Sequence, residues 1–193
     1  MEINQIEKKL SEFLYEIETE DRLVRVGLKD QMQSEAIFKK YEDLFSEKTL
    51  KDLSKLLAKA KNPNECEIIE RLYFTIASSF VGKKLAAEED KLKTYFSNVK
   101  VKLAGEEIPY YELAVRAAKE NDYKKREVYD KLALGVVVAA NAKQTKLLVD
   151  IVALLKSLGF SSYLKYHQKS KKVDYGRFIK VVESILAKTD KLW

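Results

Sequence analysis

A single histidine, His167, and a single cysteine, Cys66, are the whole supply of imidazole and thiol in this sequence of 193 residues. Most metal centres and most nucleophile–base pairs are built from those two groups, so the chain has little material for either. A zinc protease needs two imidazoles one helical turn apart, a third ligand and a glutamate that activates water. The HExxH pattern that supplies them does not occur: Gln168 follows His167, and the chain has no second histidine. His167 therefore reads as a polar or partly buried helix residue, with contact to a substrate or partner surface as the sharper alternative. Cys66 falls in the first turn of an expected helix, where the helix dipole lowers a thiol pKa, but Glu65 and Glu67 oppose it. With no second cysteine and no evident base, it reads as structural.

A basic and aromatic stretch is the next candidate. Tyr163, Tyr166, His167, Lys169, Lys171 and Lys172 lie within ten residues. Aromatic rings beside lysines can hold an acidic peptide end or a single nucleic-acid strand. Lysine without arginine is also how a solvated turn between helices looks, and that is the commoner reading. A second basic run, Lys124-Lys125-Arg126, stands at an expected helix start, where the dipole disfavours it. The carboxylate runs Glu88-Glu89-Asp90 and Glu106-Glu107 have no matching ligand set and read as surface. Neither a glycine-rich phosphate loop nor a GxSxG elbow occurs.

Composition bounds what these residues can serve. A hydrophobic share of 46% with 34% charged residues is that of a folded soluble protein. The net charge of +6 is mildly basic and gives weak support to nucleic-acid binding. One cysteine forms no internal disulfide, which suits a reducing compartment. The amino terminus, MEINQIEKKLSEF, has no apolar signal core. The longest uninterrupted apolar run, Leu132–Ala140, is too short to span a bilayer. The expectation is a cytoplasmic protein with no membrane partner.

The elements that must position these residues are helical. Two prolines and six glycines leave long stretches free of breakers. Ile3, Ile6, Leu10, Phe13, Leu14 and Ile17 recur at helical spacing, with Gly27 a weak point beyond them. Ser34 and Ser46 read as N-caps of the next two helices. Asn62-Pro63 is a break, and Asn64 with Glu67 resembles a capping box for a long helix that Gly82 ends or bends. Val99–Leu103 alternates with period two, and Ala104-Gly105 supplies a turn, so a small β-hairpin is expected over residues 99–108. Asp122 is expected to cap a long helix reaching Leu158, and Gly159 to stop it. Its LALGVVVAA centre is apolar on every side and predicts a buried central helix. Ser161 or Ser162 starts a short helix, and Asp174 caps the last.

Several runs in this order resemble a known family. ETEDRLVRVGLKD, AIFKKYEDLFS, VKVKLAGEEIPYYEL, KENDYKKREVYDKL and LLKSLGFSSYLKYHQKSKKVDYGRF look like consecutive parts of the thimet oligopeptidase and oligoendopeptidase F zinc metallopeptidases. The resemblance covers roughly residues 12–190. It implies the mostly helical half of such an enzyme, one wall of a peptide channel, without the later HExxH helix. No catalytic residue carries over, because no position here matches one.

The sequence thus predicts an all-α array of about seven to nine helices with one small hairpin, a single domain over residues 1–193 or two subdomains meeting near 99–109. It predicts no enzyme activity in this chain, no cofactor and no metal site. The expected role is a channel wall that binds peptide or docks a catalytic metallopeptidase half. A stand-alone interaction or oligomerisation module, with a second copy as partner, is the alternative. Tyr163, Tyr166, His167, Lys169, Lys171 and Lys172 are the candidate binding surface, and nucleic acid is the least favoured partner.

Overall fold

The computed structural model describes residues 2–190, and among these it is all-α with one two-stranded antiparallel hairpin. The order is α1 (Ile3–Arg25), α2 (Ser34–Lys40), α3 (Glu47–Lys59), α4 (Pro63–Asn98), β1 (Lys100–Leu103), β2 (Glu106–Pro109), α5 (Tyr110–Lys119), α6 (Tyr123–Ser157), α7 (Tyr163–Lys171) and α8 (Tyr175–Thr189). Two compact units divide at Ile151 and Val152, inside α6 rather than at the hairpin.

The amino-terminal unit is organised on α4, whose neighbours are α1, α2, α3 and α5. Phe13, Phe38 and Phe45 pack edge to face at its centre, with ring centroids 4.5–5.6 Å apart. Such aromatic clusters bury large apolar area and prefer tilted contacts. Leu53, Ile69, Leu72 and Ile76 complete the core between α3 and α4. Running on to Asn98, α4 does not end at Gly82. A side chain there would meet the Phe38 ring at 3.3 Å, so the missing Cβ serves close packing of α2 on α4.

Most expected caps appear, and two are corrected. Ser46, Ser162 and Asp174 each accept a backbone N–H at the start of their helices. Asp122 accepts the N–H groups of Lys124 and Lys125. The cap of α4 is Asn62, not Asn64: Pro63 takes the first helical position, and the Asn62 Oδ1 accepts from Asn64 and Glu65. Ser34 is already helical, and its hydroxyl donates to Asp90 instead of capping α2. α1 ends at Arg25, and Gly27, at φ +76°, turns the chain so that Leu28 donates to the Leu23 carbonyl.

In the hairpin Val101 pairs with Ile108, which is fully buried, and Leu103 with Glu106. Ala104 and Gly105 form a two-residue turn with both φ positive.

The carboxy-terminal unit, Val152–Trp193, holds the end of α6 with α7 and α8. Gly159, at φ +90°, lets the Phe160 N–H reach the Leu155 carbonyl as α6 stops. Phe160 and Tyr166 then pack edge to face at 4.9 Å, both buried.

Candidate functional site

The α7 cluster divides once its geometry is seen. Tyr166 is only 6% exposed and packs on Phe160, so it belongs to the core of its unit and not to a binding surface. His167 stands one step round the helix, half-buried, with its ring 4.3 Å from Tyr163 and 5.1 Å from Tyr166. Burial, with Lys171 nearby, lowers its pKa below the usual imidazole value. Tyr163, Lys169, Lys171 and Lys172 are exposed, and Lys172 turns the chain out of α7 in the left-handed region. This is an aromatic and cationic surface rather than a proton-transfer pair.

Other chemistry-bearing residues are occupied structurally. The Cys66 thiol lies 3.5 Å from the Ala60 carbonyl and is half-buried. Arg126 donates to the carbonyls of Glu120 and Asn121 and sits over the Tyr123 ring, while Lys125 lies 4.0 Å from Glu120. The basic run at the start of α6 is thus tied to the turn before it, and the Asp122 cap offsets the unfavourable dipole. Of the carboxylates read as surface, Asp90 is buried and Glu89 is half-buried. Burial raises the Glu89 pKa. Glu106 does lie at the surface, where it pairs with Arg116, and that pairing lowers its pKa.

A groove of about 640 Å³ in the amino-terminal unit runs beside α4 between Met32, Asp90, Thr94 and Tyr95. Its polar groups are already engaged. Asp90 accepts from Ser34 and Glu35, Thr94 accepts the Met32 N–H, and Asn98 donates to the Asp30 carbonyl. They tie the α1–α2 connection to α4 and leave no nucleophile–base pair in the groove. Among the described residues, no group of three or more His, Cys, Asp or Glu side chains could hold a metal ion.

The distinctive surface lies on α6. Its sequence predicts burial all round, and the structure overturns that. One face, with Val136 and Ala140, is buried. Tyr95 of α4 reaches the Val136 carbonyl, and Lys143 lies over the Tyr95 ring. On the opposite face Leu134 (61% exposed), Val138 (63%) and Val149 (60%) meet solvent with Leu148, and Gly135, Ala139 and Ala142 lie exposed among them. The helix is long and apolar enough to cross a bilayer by length and composition, yet only 11% of its most apolar stretch is buried. Lys143, Lys146 and Asp150 interrupt the apolar residues, and Lys146 pairs with Asp150 at 2.6 Å. An apolar helix covered on one side only needs a second neighbour.

The fold and these surfaces define an all-α protein with a hairpin, marked by uncovered apolar helix faces. No family model, curated protein or solved structure matches the chain.

Proposed function

We propose that the chain is a non-catalytic helical docking domain that pairs with another protein through the outward face of α6. The observation that carries this reading is the exposed stripe Leu134, Val138, Leu148 and Val149, opposite a face that already packs. Burying a Leu or Val side chain is worth about 1.5–3 kcal/mol, so a monomer forgoes several such terms in water. Leu134 and Val138 lie one turn apart, and Leu148 and Val149 follow about three turns on within the same arc of roughly 100°, with Asn141 and Thr145 between them. Gly135, Ala139 and Ala142 flank this stripe on one side and let a second helix approach closely there.

A second copy of this chain is the partner the surface suits best. The amino-terminal unit, Met1–Ile151, carries 27 basic and 27 acidic residues, so no net charge opposes its self-association. Large and small residues on one stripe are also self-complementary, as a two-fold interface requires. The catalytic half of an oligopeptidase-type enzyme is a second candidate, on the order of the sequence motifs. Either partner leaves this chain without hydrolytic activity of its own.

Two measurements test the reading. Purified chain with added zinc and a quenched fluorescent peptide gives no turnover above a metal-free blank; hydrolysis would refute the non-catalytic role. Leu134→Asp with Val138→Asp keeps the wild-type helicity, because both positions face solvent in the folded single chain, and melts lower than the wild type only by the stabilisation that pairing supplies. A variant that fails to fold would mean that this face is internal to the domain.

A further inference from the structure

The net positive charge of this chain is carried by its carboxy-terminal unit. Val152–Trp193 contains nine Lys and Arg against three Asp and Glu, a net of +6, which equals the net charge of the entire chain. In the same unit α8 has no buried residue. Its Phe178, Ile179, Val181, Val182, Ile185 and Leu186 are all exposed. At 3.6 residues per turn they fill one continuous arc of roughly 160°. Arg177, Lys180 and Lys188 stand on the other side of the helix with a single acid, Glu183.

We propose that the carboxy-terminal unit binds the surface of an anionic bilayer, with α8 lying in the plane of the interface. Apolar residues on one face and lysines on the other are what an interfacial helix requires. The apolar face enters the headgroup boundary, while the lysine stems extend beside it and keep their charges at the phosphate level. Lys165, Lys169, Lys171 and Lys172 add exposed positive charge within the same unit. Each Lys or Arg near an anionic leaflet strengthens binding by roughly fivefold. Charge also selects against a second copy here, since two +6 units repel. The two assignments rest on different residues, so either can fail without the other.

The test is co-sedimentation of the full chain with vesicles of phosphatidylcholine doped with phosphatidylglycerol, and with vesicles of pure phosphatidylcholine, at about 0.1 M ionic strength. Partition is expected to be at least about tenfold stronger on the anionic vesicles and to fall as salt is raised. Phe178→Asp with Ile185→Asp, and separately Lys180→Glu with Lys188→Glu, each lower it at least about tenfold with unchanged helicity. Four results would overturn the proposal. These are no partition on anionic vesicles, equal partition on both kinds, α8 variants that partition like the wild type, and a lipid-free oligomer that Ile185→Asp dissociates, which would make α8 a protein interface.

Discussion

Asp90, in the last third of α4, accepts the hydroxyl proton of Ser34 on one carboxylate oxygen and the Glu35 N–H, at 3.3 Å, on the other. A buried carboxylate 56 residues away thus takes the place of a local cap at the start of α2. Glu20 of α1 works beside it, accepting from Lys29 and from the Gln33 N–H. Together they fix the segment between α1 and α2 against α4.

Asp90→Ala removes an acceptor that the buried Ser34 hydroxyl shares with the Glu35 N–H. A buried donor left without a partner costs about 1–3 kcal/mol, so the urea midpoint falls accordingly. Asp90→Asn keeps one acceptor oxygen and loses less. A midpoint unchanged in Asp90→Ala would show that water replaces the carboxylate without cost.

Glu89 has a pKa raised by burial. Its protonated form is favoured in the fold, so its contribution is most stabilising below its unfolded pKa and is lost as pH rises through the folded one. Glu89→Gln therefore raises the melting temperature at pH 7 and gives no gain in acid. A lower melting temperature at pH 7 would contradict this sign.

His167 is the only imidazole, so its ring protons give one unambiguous NMR titration. Burial and then Lys171 place the midpoint below 6.5, and Lys171→Gln moves it upward. A folded pKa below the unfolded one means stability that is complete above about 6.5 and declines as pH falls through the folded midpoint. A midpoint at or above 6.5 would contradict the half-buried placement against Tyr163 and Tyr166.

Ala104 adopts φ +50° in the two-residue turn, a region that favours Asn and Gly over Ala. Ala104→Asn is expected to stabilise the hairpin by about 0.5 kcal/mol, read as a rise in melting temperature. A fall would show that the side chain at this position is needed as it stands.

Much of the helical frame was legible in the sequence. Periodicity and local capping chemistry located Ser46, Asp122, Gly159, Ser162 and Asp174, and alternation located the hairpin. What local chemistry does not encode was missed. The partner of Ser34 is Asp90, far away in the chain, and the packing demand at Gly82 comes from Phe38 on another helix. Tyr166 was grouped with its exposed neighbours because composition cannot tell which face of a short helix meets Phe160. The largest error was the centre of α6. All-round hydrophobicity marks a helix that two neighbours cover, and the period does not say whether both belong to one chain. Here only one face has its neighbour, and the uncovered face on α6 is the surface that the docking reading uses.

The mass of the native protein by light scattering, for the wild type beside Leu134→Asp with Val138→Asp, tests that reading most directly. The account predicts a wild-type particle of twice the 22.3 kDa chain mass. In the variant the dissociation constant rises at least about a hundredfold, leaving a folded monomer. A wild type that stays monomeric at high concentration, or a dimer that survives both substitutions, would contradict the pairing of two chains along α6.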